Sequence, residues 1–270
     1  MSSTSVSVQL EATRDRKIPF SLVRDTSAIA HRNLIAYRRI PQLLVFSTIQ
    51  PVIFVLMFRY VFGGAINTFP IPYVDYLMPG IFVQTVTFGA IATAIGLATD
   101  VKSGLMERFH ALPMARSAVL TGRTIADLTR NVFVVLLMML VGFIVGWRVH
   151  TNVFGVIAGG LLVLLFGYAM SWVFATVGLF VKDPETAQAA AFPVLAPLVF
   201  ASTAFVPSDN MPGWLQVFAD HQPVSATANA VRALTVGGAT AADVWASILW
   251  SLAILAVFVP IAVRLYRRAV

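Results

Sequence analysis

Residues 151–181 read TNVFGVIAGGLLVLLFGYAMSWVFATVGLFV, thirty-one positions without a charged side chain. A bilayer core about 30 Å thick is crossed by roughly 20 helical residues. The stretch is too long for one minimal crossing and too short for two crossings with a turn. It predicts one long helix whose ends leave the hydrocarbon, with a weak point at Gly159-Gly160. Five more uncharged runs surround it: Ile40–Phe58, Leu77–Thr99, Asn131–Trp147, Thr186–Ser208 and Val244–Val263. A buried helix of a soluble protein would account for any one of them, but not for six in 270 residues.

The composition agrees. The chain is 58% hydrophobic and 11% charged, whereas soluble domains carry about a quarter charged residues, which argues against a water-soluble enzyme. There is no cysteine, so disulfides, thiolate metal sites and cysteine nucleophiles are excluded. The net charge of +7 would suggest nucleic acid if it formed one face of a globular domain. It is instead distributed by topology. Sixteen of the nineteen basic residues fall before the first run, between the second and third, between the fourth and fifth, or after the sixth. Basic loops stay cytoplasmic, so both termini are expected inside and no nucleic-acid partner is expected. Arg148 and Arg232 are placed outside, and Arg59, one turn from the outer end of the first span, is expected to snorkel.

Residues 1–25 are Ser/Thr-rich and charged, and are expected to form a flexible cytoplasmic tail without a cleaved signal. Residues 26–41 place Ile29, Leu34, Tyr37 and Ile40 on one arc, with His31, Arg32, Arg38 and Arg39 opposite, as in a basic amphipathic helix lying in the inner interface. Residues 42–266 are the six-span domain. Between the second and third spans, Leu105, Phe109 and Leu112 share a helical face that Pro113 closes. Such a ridge suits docking in a partner's groove or contact with lipid alone.

The string Gly104-Leu-Met-Glu107-Arg108-Phe109-His-Ala-Leu112-Pro113-Met114-Ala-Arg116, then Leu120-Thr-Gly122-Arg123, resembles the first cytoplasmic loop of type-2 ATP-binding-cassette exporter permeases, most of all the daunorubicin/doxorubicin-resistance subfamily. Gln50-Pro51-Val-Ile-Phe54 agrees, as do Pro197 to Pro207, Met211-Pro212-Gly-Trp214, His221-Gln222-Pro223-Val224 and Arg232-Ala-Leu234. Many relatives have Asn-Pro where this chain has Gln222-Pro223. The resemblance covers nearly everything after the N-terminal tail.

It implies an all-α integral membrane half-transporter with six transmembrane helices, both termini cytoplasmic, and short outer re-entrant helices between Pro207 and Asp243. It also implies a cytoplasmic coupling helix that sits on a separate ATPase. The coupling contacts would be Leu105, Glu107, Arg108, Phe109, Leu112 and Pro113, with Asp183 and Glu185 as a second contact. Asp183-Pro184 is equally the N-cap and first residue of the fifth span, and the two readings are compatible. The route would run at a dimer axis lined by Phe82, Gln84, Thr85 and Phe88 of span 2 and by Phe192, Leu195, Val199 and Phe200 of span 5. An apolar lining suits hydrophobic drugs, antibiotics or lipids.

The expected partners are two ATPase subunits, a second permease and membrane lipids, in a bacterial plasma membrane. No P-loop sequence occurs, so no cofactor is expected on this chain, and ATP and Mg belong to the ATPase. No metal-binding His/Glu pattern or Gly-x-Ser-x-Gly elbow is present, which weighs against an integral-membrane lipid-modifying enzyme. Export of a cell-wall lipid or lipid-linked glycan is the nearest alternative, and a non-transporting anchor or sensor is a further one. No Asp, Glu or Lys falls inside the six runs, which argues against proton- or cation-coupled transport.

Overall fold

In a computed structural model, which describes residues 41–66, 68, 70–105, 116–238 and 241–268, every regular element is helical. The tail 1–25 and the amphipathic segment, Pro41 apart, lie outside the described residues. Helix α1 (Pro41–Leu56) continues through a wider π turn, Met57–Phe62. Next come α2 (Tyr73–Gly89), α3 (Ile91–Lys102), α4 (Arg116–Val145) and α5 (Val153–Val181). Helices α6 (Pro184–Phe200), α7 (Gly213–His221), α8 (Pro223–Val236) and α9 (Ala241–Arg268) complete the order.

Among the described residues, four helical stretches are long and apolar enough to cross a membrane: Tyr73–Lys102, Leu120–Val145, Val153–Val181 and Ala241–Arg267. The first and fifth uncharged runs form shorter helices. At 1.5 Å per residue, the 17 residues of α6 span about 26 Å. Pro193 and Pro197 lie inside it, and it stops at Phe200.

Helix α5 is the hub, packed against α2, α3, α4, α6, α8 and α9. A helix apolar on all sides belongs in such a position. It is unbroken at Gly159-Gly160, because the glycines serve packing: a Cβ on Gly159 would lie 3.4 Å from Val231 of α8. Asn152 caps its start by accepting from the Gly155 amide at 2.8 Å.

Several helices outrun their uncharged stretches, and for α4 and α2 this changes the reading of the charges. The connection expected over residues 100–130 is shorter, because α4 already begins at Arg116. Arg123, Asp127 and Arg130 therefore sit on a helix rather than in a loop, and Asp127 is buried. Asp75, in the first turn of α2, is buried as well. Its carboxylate accepts the Arg148 amide at 2.8 Å and pairs with His150 Nε2 at 2.9 Å, tying α2 to the turn before α5. Helices longer than the hydrocarbon thickness bring acidic groups into contact with neighbours without an uncharged run being broken.

The outer segment is built around α8, which packs among α2, α5 and α9. Residues 201–206, after α6, have no helical hydrogen-bond ladder, so side chains satisfy their backbone. Gln222 Nε2 donates to Ala201 O at 2.7 Å, and Ser225 Oγ accepts the Thr203 amide at 3.0 Å. Tyr76 and Tyr73 hydroxyls donate to Thr203 O and Phe205 O at 2.9 and 3.1 Å. Arg232, placed outside by the sequence, is buried here. It donates to Tyr76 O at 3.1 Å, Thr203 O at 3.0 Å and Asn229 Oδ1 at 2.6 Å, and lies 3.6 Å above the Tyr76 ring.

Candidate coupling face and inner cavity

Helix α3 leads into the candidate coupling segment. Leu105 is half-buried at its start; Glu107, Arg108, Phe109, Leu112 and Pro113 lie outside the described residues. The second candidate contact is a tight turn. Lys182 adopts the left-handed conformation (φ 61°) and its amide bonds Gly178 O, closing α5. Asp183 then caps α6, its Oδ2 accepting the Thr186 amide and hydroxyl at 3.0 and 2.9 Å. Its Oδ1 meets Lys102 Nζ at 2.7 Å. The cap expected from Asp183-Pro184 is present, and the same carboxylate ties the turn to the end of α3. Glu185 is exposed at the rim of an open groove lined by Ile91, Ile95, Gln188, Ala189 and Phe192.

The Lys102 ammonium, followed by the Thr186 amide and hydroxyl, holds the Asp183 carboxyl down to about 2. With the folded value below the ordinary value of about 3.9, its contribution is complete above about pH 4 and is lost as pH falls through about 2. Acidification from about pH 7 to about pH 4.5 is expected to leave the hydrogen-exchange protection factor of the Thr186 amide unchanged. Asp183→Ala should lower that protection throughout. A wild-type protection factor that falls on acidification in this range would contradict the assignment.

Of the candidate pathway residues, Gln84, Thr85 and Phe88 line a polar cavity of about 130 Å³ with Gln50, Arg130 and Asn131. It lies where α1, α2, α3 and α4 meet. Gln84 Oε1 is buried there without a protein partner. Drug-sized pockets occupy about 300–1,000 Å³, so this cavity admits several waters and no such ligand. Phe88 also reaches Phe200 at 6.4 Å; Phe200 joins Phe54 and Phe205 at 6.1 and 5.8 Å. Phe58 stacks on Phe205 at 4.5 Å. Phe200 is 45% and Phe192 57% exposed. Phe82 is fully buried, edge-on to Trp147 at 5.3 Å, and Leu195 and Val199 are fully buried within the chain. The eight residues thus divide among cavity, groove, aromatic group and core.

Sequence reasoning left two constellations unread. One is the Arg232 cluster. The other is the set of contacts from Arg123, Asp127 and Arg130 to α3 and the end of α2, legible only as an i, i+4, i+7 spacing just before an apolar run. Among the described residues no group of His, Asp or Glu is placed to hold a metal.

Residues 24–236 match the ABC-2 type transporter family. The chain is similar to the daunorubicin resistance ABC transporter permease protein DrrB1 of Streptomyces coeruleorubidus, 35% identical over 98% of this chain and 95% of that protein. It is similar to the probable doxorubicin resistance ABC transporter permease protein DrrC of Mycobacterium tuberculosis, 27% identical over 100% and 99%. A putative transport permease, ycf38, of Cyanophora paradoxa is 25% identical over 80% and 75%. Proteins of this kind are transporter components rather than enzymes and work with an ATPase partner and as dimers. The chain belongs to the ABC-2 type transporter family and is a multi-pass permease subunit of an ATP-binding-cassette exporter in the bacterial plasma membrane.

Proposed function

We propose that this permease exports hydrophobic compounds, drugs, antibiotics or lipids among them, in a complex of two permeases and two ATPase subunits that bind ATP and Mg. The chain crosses six times, through α1, α2 with α3, α4, α5, α6 and α9, with both termini inside. Residues 201–206 extend the short fifth crossing, and α7 and α8 dip into the outer leaflet. Reporter fusions after Ser103 and after Thr68 are expected to report cytoplasm and exterior; the reverse pattern would overturn this topology.

The route lies between protomers. The inner cavity of about 130 Å³ is too small for a drug-sized ligand, and the larger groove at Phe192, about 510 Å³, is open on one side, which supports a route completed by a second wall. The exposed Phe192 and Phe200 offer apolar surface to such a space, with Gln84, Thr85 and Phe88 behind them. Phe82, Leu195 and Val199 back this wall. ATP-driven closure of the ATPases pushes on Leu105, Glu107, Arg108, Phe109, Leu112 and Pro113, with Asp183 and Glu185 as the second footing. The bias that ATP places on the ATPase conformation thereby becomes a bias on the cavity.

The observation that carries this reading is the Lys102 to Asp183 pair, which ties the end of α3, three residues before Leu105, to the second footing. Glu107→Ala and Phe109→Ala are expected to leave the protein in the membrane at normal amount. Co-purification with the ATPase and efflux should each fall about tenfold, as for loss of an anchoring contact worth 1–2 kcal/mol. Unchanged efflux at normal expression would remove the coupling assignment.

A further inference from the structure

Three side chains on one face of α4 reach across to α3 and to the end of α2. Arg123 Nη1 meets Asp100 Oδ2 at 3.1 Å, and Arg123 Nη2 donates to Ala92 O at 3.3 Å. Asp127 Oδ2 accepts the Thr93 hydroxyl at 2.6 Å. Arg130 Nη2 donates to Gly89 O at 2.7 Å. The rungs run antiparallel, as the two limbs of a hairpin must. The Arg123 guanidinium occupies the space that a Cβ on Gly96 would take, so only glycine permits this approach.

The upper rung lies at an interruption of the second span. Thr93 N–H bonds Ala90 O at 3.0 Å, which leaves Gly89 O outside the helical ladder and open to Arg130. A cation on the last carbonyl of α2 also complements the helix dipole. The limbs are therefore joined by charge-assisted bonds from the break at Ala90 down to the segment between them, while Lys102 holds the α5 to α6 turn. Packing alone would let the limbs slide; directional bonds to charged groups fix their register.

We infer that Arg123 and Asp127 are positioning residues that weld α3 and the inner half of α4 into one rigid unit, delivering any push on the intervening segment as a single displacement at Ala90, while Arg130 anchors the top of that unit to the last carbonyl of α2. This rests on the coupling reading above. The Arg123 and Asp127 rungs touch neither the proposed ATPase contacts nor the candidate pathway residues, so their effect is on transmission rather than on binding; Arg130 also lines the inner cavity beside Gln84, Thr85 and Phe88.

The chain's lack of cysteine makes the test direct. Cysteines at the exposed Thr99 and Thr129, or at Thr99 and Val153, carry paired spin labels in the permease–ATPase complex in liposomes. The dye Hoechst 33342 is the transport probe. Wild type is expected to keep one narrow Thr99 to Thr129 distance with and without ATP and vanadate, while the Thr99 to Val153 distance shifts. In Thr93→Val with Arg123→Gln, the first distance broadens, and dye exported per ATP hydrolysed falls about three- to tenfold while hydrolysis continues. Thr93→Val alone, which keeps the side-chain shape, gives a smaller loss in the same ratio. Asp100→Arg with Arg123→Asp recovers part of it relative to Arg123→Asp alone. A Thr99 to Thr129 distance that moves in wild type, or an unchanged export ratio in the double variant, would overturn the weld. Failure of a single cysteine at Ser103 to cross-link to the ATPase would instead remove the coupling reading on which it stands.

Discussion

Arg232→Met should lower the unfolding temperature of the detergent-solubilised protein by about 10 °C, the shift that a loss of about 3 kcal/mol produces in a chain of this size. The guanidinium donates to three acceptors on α2, α8 and the 203 turn, and stacks on Tyr76. Bonds of this kind are worth about 1.5–3 kcal/mol each, and a desolvated cation over an aromatic face adds about 2 kcal/mol. Against this stands the cost of burying the charge, which methionine relieves. The attraction wins because Thr203 O and Tyr76 O belong to fixed backbone and are already aimed at the cation. Arg232→Lys is expected to restore under half of the loss, since an ammonium on a flexible stem cannot satisfy the same fork. A melting curve for Arg232→Met within about 2 °C of wild type, under 1 kcal/mol, would show that the cluster contributes little.

Gly80→Ala should be at least as damaging. A Cβ there would fall on the Ala204 carbonyl and within 2.6 and 2.7 Å of its carbonyl carbon and Cα. These are backbone atoms and cannot rotate aside. Either α2 or the 201–206 segment must move, and with it the Tyr73, Tyr76 and Arg232 bonds. Overpacking of this kind costs about 3 kcal/mol, read as loss of monodisperse protein after extraction. Gly160→Ala is the control. Its Cβ would meet only the end of Met139, at 3.6 Å, so the helix propensity of alanine should leave stability equal or raised by up to about 1 kcal/mol. Equal behaviour of the two variants would refute the close approach of α2 to residue 204.

The fold class was legible because burial in lipid demands long uncharged runs, and runs survive any packing arrangement. The long helix α5 and the Asp183 cap follow from local chemistry alone. Side-chain destinations did not follow. Arg123 and Arg130 contribute to the basic count of the inner side and, at the same time, bond to α3 and to the end of α2; sequence reads the first role and not the second. Arg232 has no acidic neighbour in sequence to flag its burial, because its partners are carbonyls from residues 76 and 203. Among the candidate pathway residues, Phe82 and Phe88 lie six positions apart on one helix and face different neighbours. Periodicity alone did not say which face of α2 meets Trp147.

The central place of α5 has a consequence for biogenesis. The helix that six others pack against begins only at residue 153, so α2, α3 and α4 enter the membrane before this shared partner exists. At about 5–20 residues per second, the ribosome needs several seconds to pass from α2 to the end of α5. During that wait Asp127 and Arg123 have α3 to bond to, Arg130 has the end of α2, and the early hairpin is held together by its polar rungs. Arg232 is made later still, when the groove that receives it is already assembled. Synthesis order and contact order therefore run together, and the insertion machinery has to shield only the apolar face that α5 later covers.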